Sequence, residues 1–179
     1  ERPLGDVIFN RLKNLLGVFI AGALYFVIVQ HLTNLYAAEH GAVEAFILLE
    51  GGIYTQLFWI GQVLIGSLIP LALVYHPAWG KSRTLVGLAS VMVILGGIAT
   101  MYVIIIGGQA FPLVLFPGQE VQSSFFDGVV NSYAPSLPEI MLGLGGVATA
   151  LIVVALAVKI LAFMPESLAD EIIDPHHSK

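Results

Sequence analysis

The stretch that decides the fold is residues 53–75, IYTQLFWIGQVLIGSLIPLALVY, which contains no charged side chain. The hydrocarbon core of a bilayer is about 30 Å thick, and a helix needs roughly 20 apolar residues to cross it. Three further stretches meet the same criterion, at residues 12–35, 84–107 and 138–163. Each is predicted to be helical, because lipid offers an unpaired backbone amide no hydrogen-bond partner. The chain is therefore predicted to be an all-α, polytopic membrane protein with a four-helix transmembrane bundle over residues 1–164.

The composition of the chain excludes several classes of protein. Of its 179 residues, 58% are hydrophobic and 11% are charged, whereas a soluble domain carries about a quarter charged residues. Its seven Lys and Arg residues and net charge of -5 argue against nucleic-acid binding, because a phosphate backbone must be neutralised by basic side chains. The chain has no cysteine, so we expect no iron–sulfur cluster within it. His31 is the only histidine inside a predicted span, so no haem held by two histidines is expected either.

The basic residues predict the orientation in the membrane. They all fall on one side of the predicted bundle: Arg2, Arg11, Lys13, Lys81, Arg83, Lys159 and Lys179. The two connections on the other side carry acidic residues instead: Glu39, Glu44, Glu50, Glu120 and Asp127. Because short cytoplasmic segments are enriched in Lys and Arg, both termini are predicted to be cytoplasmic, in the inner (cytoplasmic) membrane of the cell. Residues 165–179 are predicted to be a polar cytoplasmic tail, and the chain, which begins with Glu1, is expected to be part of a longer or processed protein.

Two local patterns predict how individual helices begin and bend. Ser136-Leu137-Pro138-Glu139 is typical of a capping box, in which Ser136 is the N-cap and Glu139 the third helical residue. Pro70 lies inside a span and is predicted to kink it, since it deprives the Gly66 carbonyl of a donor. Ser67 is predicted to help satisfy this turn.

Small residues and connections give further expectations. Pairs four residues apart predict helix packing: Gly17 and Ala21, Gly96 and Thr100, Gly145 and Thr149. Residues 42–49 are predicted to form a short interfacial helix. The aromatic-rich residues 108–136 are predicted to dock a partner or, alternatively, to rest on lipid headgroups as an aromatic belt.

Polar side chains at membrane depth are costly and provide the candidate site residues. Four are candidates for a quinone site or a proton path: His31, Asn34, Gln62 and Glu139. His31 can hydrogen-bond a quinone carbonyl or pass a proton, or it can be a structural histidine at the headgroups. Gln62 is expected to bridge helices or hold a file of waters, and Glu139 to cap its helix or exchange protons at the outer edge. No catalytic residue and no metal site are predicted.

Three stretches carry a resemblance to a known family. Leu57 to Leu71 (LFWIGQVLIGSLIPL) resembles the span with Phe-Trp-Ile and a late Pro in the NrfD, or polysulfide-reductase membrane-subunit, family. Residues 133–139 (YAPSLPE) resemble the entry to a later helix of that family, and residues 32–36 (LTNLY) the end of the preceding span. The likeness covers the carboxyl-terminal half of the family and is greatest to the DsrP-type membrane subunit of the sulfite-reduction-associated Dsr complex.

The resemblance implies a haem-free membrane subunit of a respiratory complex. Such subunits exchange electrons between membrane quinone (menaquinone or ubiquinone) and an iron–sulfur, ferredoxin-like partner on the outer face, and proton movement is an expectation for some of them. The other implied partners are lipid and the remaining membrane and redox subunits. The family's quinone pocket belongs to its amino-terminal half, so the resemblance transfers no quinone ligand to this chain. A non-catalytic anchor for an outer-face redox subunit and a small transporter remain the alternatives.

Overall fold

The computed structural model describes residues 4–37, 39–112 and 128–173. Its helices in chain order are α1 (Asp6–Tyr36), α2 (residues 41–50), α3 (Ile53–Tyr75), α4 (Arg83–Ala110), α5 (Leu137–Ile160) and α6 (Asp170–Ile173). A 3₁₀ turn, Trp79–Lys81, lies between α3 and α4. Four of the helices, α1, α3, α4 and α5, are long and apolar enough to cross a membrane. The predicted all-α membrane fold with four spans is therefore confirmed.

The helix bounds differ from the predicted spans at some ends. α3 has the predicted bounds, but α1 begins six residues before the predicted span. The reason is that hydropathy locates the lipid-facing part of a helix, whereas the helix itself continues through polar residues such as the exposed Arg11. At the other end of the chain, α5 stops at Ile160, because Leu161 adopts an extended backbone conformation.

One compact unit consists of the described residues of Arg11–Ser132, and its tightest contact lies between α3 and α4. At Gly96 an added Cβ would lie 2.2 Å from the Cα of Gly66, and at Gly61 it would lie 2.9 Å from the Cβ of Ala99. Small residues let membrane helices approach until their backbones touch, which replaces the hydrophobic driving force that lipid lacks. The backbones of α3 and α4 are thus in direct contact, at one of the positions that the sequence predicted for packing.

The middle of α3 departs from α-helical geometry. Residues Leu57–Leu68 form a π-helix, in which each backbone N–H bonds the carbonyl five residues earlier. This wider turn places Gly61 and Gly66, which are five residues apart, on the same side of α3 against α4. The sequence predicted only a local kink at Pro70, but the departure extends over the twelve residues of the π-helix. The Ser67 hydroxyl donates to the Gln62 carbonyl at 3.1 Å rather than to the carbonyl of Gly66.

α2 is fastened to α3 by side chains that reach its backbone. Trp59 Nε1 donates to the Leu48 carbonyl at 2.9 Å, and the Thr55 hydroxyl donates to the Phe46 carbonyl at 3.3 Å. Phe46 and Ile47 of α2 are buried in a cluster with aromatic and aliphatic side chains of α3 and α4: Tyr54, Phe58, Val103 and Ala110. Part of the segment predicted as an interfacial helix therefore packs into the core, and its position at the membrane interface stays a prediction.

The second compact unit contains the described residues of Glu1–Asn10 and Tyr133–Lys179. The Ser136 backbone N–H donates to Glu139 Oε2 at 2.6 Å, which confirms the predicted capping box at the start of α5. No residue of α5 is buried, and an added Cβ at Gly145 would meet no atom within 4 Å. Within the described residues, the predicted packing pair of α5, Gly145 and Thr149, therefore has no helix packed against it.

The described part of the tail holds the first turn of α1. The backbone N–H groups of Asp6 and Val7 donate to the two carboxylate oxygens of Asp170, each at 3.0 Å, and Gly5 N–H donates to the Leu168 carbonyl at 2.7 Å. The first N–H groups of a helix have no partner within the helix, and a carboxylate there also interacts favourably with the helix dipole. Asp170 therefore acts as an N-terminal cap supplied from the far end of the sequence.

Removing this cap is expected to loosen the first turn of α1. The substitution Asp170→Ala leaves the Asp6 and Val7 amides without their acceptor, and loss of a cap costs about 1 kcal/mol, or roughly a five-fold change in local opening. Hydrogen–deuterium exchange should show faster exchange at these amides, whereas Glu171→Ala, which alters the exposed neighbouring carboxylate, should not. Equal exchange in the two variants would show that Asp170 is not the cap.

Candidate functional site

A buried polar cluster connects α1 with α2. His31 Nδ1 lies 2.5 Å from Glu44 Oε2, and Asn34 Nδ2 donates to Glu44 Oε1 at 2.7 Å. His31 and Asn34 are one turn apart on α1, so both can reach the same carboxylate of α2. The structure therefore brings together two of the four candidate residues, His31 and Asn34. The residue that joins them, Glu44, was not among the candidates.

The carboxylate of Glu44 determines the hydrogen bonding of His31. The Glu44 residue is 2% exposed, and a carboxylate this deeply buried is tolerated only when hydrogen-bonded or paired. Both of its oxygens are occupied, one by His31 and one by Asn34. Carboxylate oxygens accept hydrogen bonds, so this contact is made in the tautomer in which His31 Nδ1 carries the proton and Nε2 is the ring acceptor.

The second ring nitrogen of His31 is available to a ligand. Phe58 of α3 packs edge-on against the imidazole, with the ring centroids 4.6 Å apart, and helps to fix its orientation. Across the described residues, no protein group hydrogen-bonds to Nε2, yet no buried side-chain nitrogen or oxygen there lacks a partner. It follows that Nε2 reaches the accessible surface, where it can take a proton from a bound molecule or return one.

A cavity of about 440 Å³ lies between α1, α3 and α4, next to this cluster. It is lined mainly by apolar side chains of α1, from Leu16 to Val27, and by parts of α3 and α4 that include Gln62 and Gly97. Val27 precedes His31 by one helical turn, which corresponds to about 6 Å along α1. The cavity therefore begins about one turn away from the cluster of His31, Asn34 and Glu44.

The other two candidate residues, Gln62 and Glu139, each have surroundings of their own. Gln62 is 5% exposed and lines the cavity, and no side-chain bridge from it to another helix is present in the described part of the chain. Glu139 belongs to the second compact unit, where its carboxylate accepts hydrogen bonds from the backbone and the hydroxyl of Ser136. Of the two roles considered for Glu139, capping of its helix is therefore observed directly. Its role in a proton path stays a prediction.

Glu44 is the residue that the sequence analysis missed as a site residue. The charge pattern marks it only as an acidic residue of an outer connection. The segment around it, AVEAFILL over residues 42–49, could have indicated its role. Glu44 is the only charged residue in this apolar segment, and a carboxylate in such surroundings requires buried partners. Residues 113–127 of the aromatic connection and residues 174–179 of the predicted tail lie outside the described residues.

A comparison with known protein families identifies the family of this chain. The family model described as "Polysulphide reductase, NrfD" matches residues 4–113, which contain α1 to α4 and the whole polar cluster. The chain belongs to the NrfD family. The resemblance noted in the sequence is thereby confirmed, and this NrfD-family chain is a multi-pass membrane protein. Its particular likeness to DsrP-type members stays a prediction.

Two curated relatives are similar to this NrfD-family chain. The "Hdr-like menaquinol oxidoreductase integral membrane subunit" of Archaeoglobus fulgidus is 30% identical over 171 residues, which are 94% of this chain and 41% of the relative. A selenate reductase subunit of Mesobacillus selenatarsenatis is 30% identical over 132 residues, which are 74% of this chain and 28% of the relative. The chain thus spans less than half the length of these relatives. No solved structure matches it significantly.

Proposed function

We propose that this chain forms the quinone-binding part of a membrane subunit in a multi-subunit respiratory oxidoreductase, with His31 as the proton-exchanging group. The observation that carries the proposal is the buried Glu44 carboxylate, which holds His31 Nδ1 and leaves Nε2 at the surface. Membership of the NrfD family and the name of the A. fulgidus relative, a menaquinol oxidoreductase subunit, support it.

The residues of the cluster fit a quinone headgroup. In the membrane, a quinone carries two electrons and two protons between redox proteins in its reduced form, the quinol. The carbonyl oxygens of the quinone accept hydrogen bonds, and the hydroxyl groups of the quinol donate them. His31 Nε2 can accept the proton of a quinol hydroxyl, and its protonated form can donate to a quinone carbonyl. Phe58, which is buried in contact with the imidazole, keeps the ring in position for these hydrogen bonds.

The remaining residues of the cluster support the proton transfer. When Nε2 takes up a proton, the ring becomes an imidazolium, and the Glu44 carboxylate stabilises its positive charge through Nδ1. Asn34 occupies the other Glu44 oxygen and thereby fixes the orientation of the carboxylate. Oxidation of one quinol releases two electrons and two protons. The electrons leave to a partner subunit, for which we propose an iron–sulfur protein on the outer face of the cytoplasmic membrane, and His31 takes the protons one at a time, passing the first to water before it accepts the second.

Replacing Glu44 with Gln tests this arrangement. The amide can still accept a hydrogen bond from His31, but it cannot stabilise an imidazolium by charge, so we expect quinol oxidation to fall about ten-fold or more. The measurement is the rate at which the intact complex oxidises a soluble menaquinol analogue in native membranes. The control Glu39→Gln alters an exposed carboxylate in the same connection.

The outcome separates the proposal from a purely structural role. The proposal expects both variants to assemble with their partner subunits in normal amounts and only Glu44→Gln to lose turnover. Equal turnover of the two variants and the parent complex would contradict the proposal and favour a non-catalytic membrane anchor.

A further inference from the structure

The cavity between α1, α3 and α4 is lined by a side-chain amide that has no hydrogen-bond partner among the described residues. Gln62 is 5% exposed and lines the cavity, and its side chain makes no hydrogen bond with any residue in the described ranges. Fully buried side-chain nitrogen and oxygen atoms in those ranges all have partners, so the amide of Gln62 must reach the cavity itself. A polar group left unpaired in an apolar environment costs roughly 1–3 kcal/mol, so a ligand that pairs with it is favoured.

The other polar side chains of the cavity are already used as donors. The Ser67 hydroxyl donates to the Gln62 carbonyl at 3.1 Å, and the Thr100 hydroxyl donates to the Gly96 carbonyl at 2.9 Å. The remaining wall is predominantly aliphatic and aromatic. The cavity therefore suits an apolar molecule that carries an oxygen acceptor where it meets Gln62.

The depth of Gln62 identifies the class of ligand. Gln62 lies near the middle of the 23-residue helix α3, which is long enough to span the hydrocarbon core. The ester carbonyls of a phospholipid belong to the polar interface, several ångströms outside this region. A quinone ring, which is joined to a hydrocarbon tail and has no charged headgroup, can place its carbonyl at this depth.

We propose that the cavity is a second, intramembrane position for the quinone ring, in which the Gln62 side-chain amide donates to a ring carbonyl. This inference rests on the proposed function for the identity of the ligand. An amide neither gains nor loses a proton at physiological pH, so Gln62 holds the ring without proton exchange. His31, whose helix lines the same cavity one turn earlier, performs the exchange.

Gly97 offers a way to fill the cavity without disturbing the helices around it. It lines the cavity, and an added Cβ at this position would meet no atom within 4 Å. Gly87 lies on the same helix, is equally open to an added Cβ and does not line the cavity. The substitutions Gly97→Leu and Gly87→Leu therefore form a matched pair, and only the first occupies the site.

The test measures the quinone bound to the complex and its affinity for a quinone analogue. The intact complex is purified as the parent, Gln62→Met and Gly97→Leu, with Gln56→Met and Gly87→Leu as controls, since Gln56 is exposed on the same helix as Gln62. Quinone and phospholipid are extracted and quantified, and the affinity for a menaquinone analogue is measured by fluorescence quenching. We expect both cavity variants to lose one bound quinone per chain, and Gln62→Met to weaken binding at this position about ten-fold. We expect the controls to match the parent.

Two outcomes would overturn the inference: unchanged quinone content in both cavity variants, or loss of phospholipid in place of quinone. The proposed function is tested separately, by the turnover of His31 and Glu44 variants. Unchanged quinone content together with inactive His31 variants would refute the second position and leave the proposed function intact.

Discussion

Replacing His31 with Gln is expected to lower quinol-dependent turnover of the complex about 100-fold or more, since a positioned general base contributes roughly 10²–10⁴ to such a reaction. Gln is similar in length to His and can donate a hydrogen bond to Glu44, so the buried carboxylate keeps a partner. Gln has no nitrogen that takes up a proton. The variant therefore removes the proposed chemistry while the contact between α1 and α2 is retained.

The control is the same substitution at His40, which lies nine residues later. His40 is exposed, and its only hydrogen bonds in the described structure are made by its backbone. We expect His40→Gln to match the parent in turnover and both variants to assemble with their partners. Turnover of His31→Gln within two-fold of the parent would show that His31 is a structural residue.

Replacing Gly96 with Leu is expected to abolish accumulation of the folded protein. A Cβ at this position would lie 2.2 Å from the Cα of Gly66, so the backbones of α3 and α4 would have to separate. Overpacking a close-packed interior costs roughly 1–3 kcal/mol, and a backbone-to-backbone contact belongs at the upper end of this range. Separating the helices would also open the cavity wall that contains Gly66 and Gly96.

The matched control is Gly87→Leu on the same helix, where an added Cβ meets no atom. The measurement is the amount of monodisperse protein extracted from membranes and its thermal unfolding temperature in detergent. We expect Gly87→Leu to equal the parent and Gly96→Leu to fall below a tenth of its yield. Equal yields for the two variants would mean that α3 and α4 do not meet at these glycines.

The spans could be predicted because lipid imposes a simple rule on them. A run of about 20 apolar residues must be helical, and residues 53–75 satisfy this rule so fully that the predicted and observed bounds coincide. The capping box at Ser136 and Glu139 was predictable for a related reason, because its residues are neighbours in the sequence.

The features that the sequence did not predict depend on contacts between distant segments. Asp170 caps a helix that begins more than 160 residues earlier, and Glu44 finds His31 only after α2 has packed against α1 and α3. The π-helix of Leu57–Leu68 packs against α4, and hydropathy reports neither the π-helical geometry nor the contact. Gln62 was recognised as a polar residue at membrane depth, but its cavity is a product of how three helices meet.

Photolabelling with an azido-quinone tests whether His31 contacts a bound quinone. The intact complex in native membranes is labelled, digested and mapped by mass spectrometry, with and without excess natural quinone. We expect label on the α1 peptide that carries His31 and on the α3 peptide that carries Phe58, and we expect the natural quinone to compete with it. Label found only on other subunits, or only outside α1 and α3 of this chain, would contradict it.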